Sequence, residues 1–204
     1  MVAPQREALA EAPARFGLDD LAGRLIELQG GADGALLTCA FGLLLEAQRR
    51  GEPAAYVGSS TSSFYPPDVA EGGVDLDALP VVLLADPAAR ARAADELARS
   101  GAFALLVVDL GTDDGAPPRI PPALVARLLG LAQKHATAVL FLSPGDENTP
   151  SPLGSLVSLR AVVRRRPLDL PRNRCAVSIE VVKDKRRAPG WGQEEICRAP
   201  SGIQ

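Results

Sequence analysis

Aromatic side chains are scarce in this 204-residue chain, at 4% of its residues, and it holds one Trp, one His and one Met. A core must therefore be built from Ala, Val and Leu. No apolar run reaches the roughly 18 residues that a membrane-spanning helix needs. The opening stretch MVAPQREALAEAPARFG has no long apolar segment and carries acids early. No secretory signal is expected, and a cytoplasmic location is. Cys39, Cys175 and Cys197 are odd in number and widely spaced. They form no CxxC pair and no Cys/His cluster, which argues against a zinc site and against a disulfide framework. A reducing compartment is the simple expectation.

What is present suits one α/β domain with room for a core: 47% hydrophobic and 23% charged residues. The net charge of −3 hides a segregation along the chain. Residues 1–159 carry 11 basic and 20 acidic side chains, whereas residues 160–204 carry 11 and 5. The basic end suits a polyanion or an acidic partner. It equally suits a solvated sheet edge that uses Arg against aggregation.

Patterning orders the elements. Residues 5–15 read as a short helix interrupted by Pro13. RLIELQ at 24–29 alternates as a strand does. The glycine-rich turn GGADG at 30–34 follows, then a helix from Ala35 to Arg50 ended by Gly51. Residues 54–58 read as a strand and 59–68 as a loop. A short strand at 81–85 precedes a helix capped by Asp86, with Pro87 in its first turn, running to Arg99. ALLVVD at 104–109 is a strand, 121–135 a helix and 137–142 a strand, and the loop 143–155 is rich in Pro, Ser and Gly. Segments 156–166, 174–183 and 191–198 read as strands without helices between them. Apolar strands alternating with helices predict a mostly parallel sheet covered on both faces. A β-rich tail completes the pattern, which contains no internal repeat.

A strand, a glycine turn and a helix make the frame of a phosphate-binding loop. GRLIELQG at 23–30, LLLEAQRRGEPAAYV at 43–57, GVDLDAL at 73–79, DELARSGAFALLVVD at 95–109 and IEVVKDKRRAP at 179–189 occur in order at sensible spacings. Together they resemble the core of the bacterial recombinase RecA over residues 23–203. The resemblance implies a RecA-like P-loop NTPase core at 23–204, with a central sheet that ends in antiparallel strands. It also implies an N-terminal helical segment at 1–22 and no counterpart of the recombinase's C-terminal domain.

The window Gly30, Gly31, Ala32, Asp33, Gly34, Ala35, Leu36, Leu37 departs from G-x-x-x-x-G-K-[ST]. Leu36 stands at the lysine that neutralises phosphates, and Leu37 at the hydroxyl that holds Mg²⁺. Ala35 replaces the second glycine, and Asp33 repels an anion. The family's catalytic glutamate falls near Ser60, and its γ-phosphate sensor falls at Ser143-Pro144-Gly145. Asp109 alone remains, in the Walker B position, with too few ligands for Mg²⁺. A pseudo-ATPase that holds no nucleotide, metal or other cofactor is expected.

The family's two DNA-binding loops correspond to 110–120 and 143–155, both short, the second carrying Asp146 and Glu147. At most weak DNA binding is expected, through Arg164, Arg165, Arg166, Arg172 and Arg174, with no aromatics interleaved for base stacking. Lys183 and Lys185 keep the family motif, and the resemblance implies that they reach the nucleotide of a neighbouring subunit. The alternative is two solvated lysines at a strand end. Leu9 and Phe16 are the apolar anchors of an N-terminal segment that, in the family, packs on a neighbour. The departures fit the ImuA family of shortened RecA-like proteins. That resemblance implies an accessory role in error-prone translesion synthesis. The partners it implies are RecA, an ImuB-like Y-family polymerase homologue and an error-prone replicative-type polymerase. A SulA-like inhibitor of cell division and an ATPase with an atypical site are the other readings. A monomer or weak dimer is expected.

Overall fold

In the computed structural model, strands that read as apolar runs lie side by side in one eight-stranded sheet. The structure describes residues 16–31, 35–60, 64–111, 118–168 and 174–198. Its elements in chain order are α1 (Leu18–Leu21), β1 (Leu25–Gly30), α2 (Ala35–Arg49), β2 (Ala54–Gly58), α3 (Pro66–Glu71), β3 (Val81–Leu83), α4 (Pro87–Arg99), β4 (Leu105–Asp109), α5 (Pro122–His135), β5 (Ala138–Pro144), β6 (Leu159–Pro167), β7 (Arg174–Asp184) and β8 (Gly192–Arg198). The sheet order is β3-β2-β4-β5-β1-β6-β7-β8. The first six strands are parallel, and β7 and β8 join antiparallel. This is the expected α/β architecture, mostly parallel and flanked by helices, with an antiparallel end.

Two apolar clusters cover the two faces. On one, Ala40, Leu44 and Ala47 of α2 pack on Ile26 and Leu28 of β1 and on Val177 and Ile179 of β7. On the other, Ala91 and Ala94 of α4 and Val125 and Leu128 of α5 pack on Leu106, Val108 and Val139. The chain leaves β1 for the first face and β4 for the second. Ligands in open α/β sheets bind at the carboxyl ends of strands where such connections diverge.

Local chemistry explains most boundaries. Asp86 accepts a hydrogen bond from Ala89 N at 2.8 Å, and Pro87 follows it, so α4 starts where the sequence places it. α2 ends before Gly51, whose φ is 71°. Two expectations are corrected. The stretch read as a loop to residue 68 contains the start of α3, because Pro66 and Pro67 sit in its first turn, where a missing N–H costs nothing. Residues Gly154–Leu156 form a 3₁₀ turn, so the strand expected from 156 begins at Leu159. No helix among the described residues is long and apolar enough to cross a membrane.

Candidate functional site

The carboxyl ends of β1, β2, β4 and β5 are where a P-loop frame would place a ligand. Gly30 closes β1, and Ala35 opens α2 as a buried residue. Asp33 and Gly34 lie outside the described residues. Gly31 is exposed. Leu36 and Leu37 are partly buried against the α2-side core. A Cβ built on Gly30 would lie 3.1 Å from Leu36 Cγ and 3.2 Å from Val163 O. Leu36 thus folds back over the strand end. The Gly30 carbonyl accepts from Gly145 N at 3.1 Å, which ties the exit of β5 to the same point.

Asp109 at the end of β4 is engaged on both oxygens. Tyr56 Oη donates to Oδ2 at 2.9 Å, and Gly111 N donates to Oδ1 at 3.0 Å. Tyr56 is fully buried. Its ring stacks with Phe64 at 5.0 Å and Phe41 at 5.7 Å. Gly58 is required beside it, since a Cβ there would meet the Tyr56 ring at 2.5 Å. Three of the chain's eight aromatic side chains are therefore gathered beside Asp109.

A fully buried cation underpins this end. Arg90 of α4 donates to the carbonyls of Leu84 at 2.7 Å, Ala85 at 2.6 Å, Asp109 at 3.1 Å and Leu110 at 2.5 Å. Burial depresses its pKa, a trend opposed by the charges of Asp109 and Asp86. The guanidinium joins the ends of β3 and β4 and satisfies four carbonyls there, that of Leu110 in a fully buried bond.

The loop after β5 is pinned as well. Glu27 in β1 is fully buried and accepts from Ser143 Oγ at 2.8 Å and from Ser151 Oγ. Gln29, also buried, accepts from Arg160 Nε at 2.7 Å, and Arg160 reaches on to the carbonyls of Asp146 and Thr149. Asp146 closes its own turn through Asn148 N and Thr149 N. Hydrogen bonds from Thr149 and from Asn148 N hold its carboxyl below the ordinary range. Alternation in RLIELQ predicts one solvated face, but every residue of β1 is buried. Glu27 and Gln29 are buried because they anchor this loop.

No family model matches the chain, and no curated protein matches it.

The basic candidates divide by place. Arg164 pairs with Glu147 at 2.6 Å and Glu180 at 2.8 Å, and Arg166 lies 3.6 Å from Glu194. Arg165 is exposed on β6. Arg164 and Arg166 form part of a cross-strand ion-pair ladder, the use that a solvated sheet has for them. Phe16 is 3% exposed and packs on Trp191 of its own chain at 6.5 Å. Its ring is thus held within its own chain. Leu9 lies outside the described residues.

Lys183 and Lys185 sit at the opposite end of the sheet. Register pairs Lys183 with Arg160 and Asp184 with Leu159, level with the start of β1. Asp184 is buried, forms an ion pair with Arg24, and accepts from Arg186 N at 2.8 Å and Trp191 Nε1 at 3.3 Å. It fixes the strand end from below. The lysines beside it make only long bonds, Lys183 Nζ to Ser155 O at 3.4 Å and Lys185 Nζ to Leu156 O at 3.3 Å. Burial, and then the charges of Lys185 and Arg160, lower the Lys183 pKa. An anion there would relieve that repulsion.

A groove of about 480 Å³ runs between α2 and the β7–β8 edge, with Val177 and Ile179 in its floor and Cys39 and Cys197 in its walls. Among the described residues no group of three His, Cys, Asp or Glu side chains is arranged to hold a metal ion.

Proposed function

We propose that the chain is a non-catalytic, RecA-like accessory protein of the DNA-damage response. It binds RecA at a subunit face or filament end and works with an ImuB-like partner in error-prone translesion synthesis. The observation that carries the reading is the contrast between the two ends of the sheet. At the carboxyl end, Leu36 lies over Gly30, and Tyr56 holds Asp109 beneath Phe41 and Phe64. A triphosphate there would meet apolar side chains, an already engaged carboxylate and, in Arg90, a cation already committed to backbone carbonyls. At the amino end, Lys183 and Lys185 stand beside Arg160 with weak carbonyl partners.

Two surfaces at opposite ends suit a head-to-tail contact, in which one subunit's face meets a different face of the next. A chain that keeps the cationic face and has filled its own nucleotide end binds as a terminal or modulating subunit. The far sheet edge offers a further contact, since β3 has β2 on one side only and exposes Val81 and Leu83. The pinned 145–153 loop and the paired Arg164 and Arg166 support protein binding over DNA binding.

The test is a pull-down of the purified chain against RecA, an ImuB-type protein and FtsZ, with and without ATP. Retention of RecA and the ImuB-type protein is the expected result. Retention of FtsZ alone would instead support a cell-division inhibitor. Submillimolar affinity of the isolated chain for Mg-ATP would overturn the non-catalytic reading.

A further inference from the structure

The hairpin of β7 and β8 sets Cys175 directly opposite Cys197. Both side chains belong to the α2 side of the sheet, where Cys175 is part of the buried cluster and Cys197 packs against it. Directly opposed residues in antiparallel strands have Cα atoms about 4.5–5.5 Å apart, inside the window of about 4.4–6.8 Å that a disulfide spans. Their Cβ atoms, about 4.5–5.5 Å apart in such pairs, need only a small approach to reach disulfide geometry. β8 is the last strand of the sheet, held on one side only, so it can move that far. Cys175 is 5% exposed, whereas Cys197 is half-buried and opens on the groove.

We infer that Cys175 and Cys197 form a thiol–disulfide pair in which Cys197 receives a low-molecular-weight disulfide such as oxidised glutathione and Cys175 resolves it. The Cys197 thiol gives up its proton and attacks one sulfur of the small disulfide. A Cys197 mixed disulfide forms, and the displaced thiolate takes up the proton as one free thiol. The Cys175 thiol then gives up its proton and attacks the Cys197 sulfur. The Cys175–Cys197 bond forms, and the second small thiol leaves with that proton. Two electrons pass from the protein pair to the small disulfide, which is reduced to two thiols.

The product clamps the edge strand to β7 beneath the groove. Cys39 stands on α2, across that groove, and a bridge from it to Cys197 would have to draw helix and sheet edge together. Burial, then Cys175 and Glu195, raise the Cys197 thiol above its ordinary pKa. α2 adds Glu46, Arg49 and Arg50 around the same groove. Attack is therefore slow at neutral pH, and small disulfides at high concentration suit the pair better than trace peroxide.

The experiment treats the full-length chain with excess oxidised glutathione, quenches with acid, and reads intact mass and peptide map. The wild type should lose two hydrogens and yield one Cys175–Cys197 cross-link. Cys175→Ser should stop at a glutathione adduct on Cys197, with Cys175→Ala as the substitute if Ser in that buried site unfolds the chain by circular dichroism. Cys39→Ser should cross-link as the wild type does. A stable wild-type adduct without a cross-link, or a cross-link that includes Cys39, would overturn the assignment.

Discussion

At the carboxyl end of the parallel strands, polar groups point inward and find partners within the chain. Tyr56 meets Asp109, Arg90 meets four carbonyls, and Glu27 and Gln29 hold the loop after β5. At the amino end, Thr137 and the Asp184–Arg24 anchor are buried, but the lysines are not fully so. Asp184 and Arg24 pair below the surface, while Lys183 and Lys185 rest on carbonyls at 3.3–3.4 Å. The comparison teaches that the two ends resist change differently. The carboxyl end is packed as core, and a core resists being reopened. The lysine end keeps charge that an incoming anion can engage at little cost to the fold.

The largest effect is expected where the filled end depends on one side chain. Arg90→Ala leaves four carbonyls without their shared donor and opens a cavity. It should destabilise the chain by about 3–5 kcal/mol, the range for removing one member of a buried charged network, read by urea unfolding. A loss under about 1 kcal/mol would mean that this end is not core in the sense argued.

Next comes the buried anchor at the other end. Burial pushes the Asp184 carboxyl up, but hydrogen bonds from Arg186 N and Arg24, the Arg24 charge and the Trp191 indole outweigh it, so its pKa lies below the ordinary 3.8. A depressed folded-state pKa contributes stability that is present above the unfolded value and lost as pH falls through the folded one. Asp184→Asn should therefore lower stability by about 1–3 kcal/mol at neutral pH. It should also flatten the decline of stability below about pH 4. An unchanged acid profile would show that this carboxyl does not govern the lysine end.

A third change tries to break the comparison directly. Leu36→Lys with Leu37→Thr gives the turn after β1 the residue types of a phosphate-binding loop. The new lysine would displace Leu36 from Gly30, costing about 1–3 kcal/mol in lost packing and desolvation. No measurable Mg-ATP affinity should result, because Tyr56, Phe41 and Phe64 still close the Asp109 side. Restored binding by calorimetry would show that the site is vacant, not filled.

Much of the fold was legible because it rests on local rules. Asp86 with Pro87 announces α4, Gly51 ends α2, and the apolar runs at 54–58 and 105–109 are strands buried on both faces. Other features depend on distant partners. Glu27 and Gln29 imitate the polar face of an alternating strand, and only the return of Ser143, Ser151 and Arg160 explains their burial. Nothing local marks Arg90 as buried, although its place four residues after the capping Asp86 turns it toward the ends of β3 and β4. Widely spaced cysteines gave no sign of pairing. The sign was in the register of a hairpin whose alternating residues 175, 177 and 179 face one side together with 193, 195 and 197. The contact of Phe16 with Trp191 across the fold was likewise not written in its local sequence.

The most direct measurement is the affinity of the chain for RecA held with a non-hydrolysable ATP analogue, beside Lys183→Ala/Lys185→Ala. Lys183 is partly buried and Lys185 exposed, both with weak internal bonds, so the double variant should keep its unfolding free energy within about 0.5–1 kcal/mol. Its binding to ATP-loaded RecA should fall tenfold or more, while the weaker binding to nucleotide-free RecA stays unchanged. Equal affinity of wild type and variant for ATP-loaded RecA would contradict the account, because the cationic end would then not face a neighbour's phosphates.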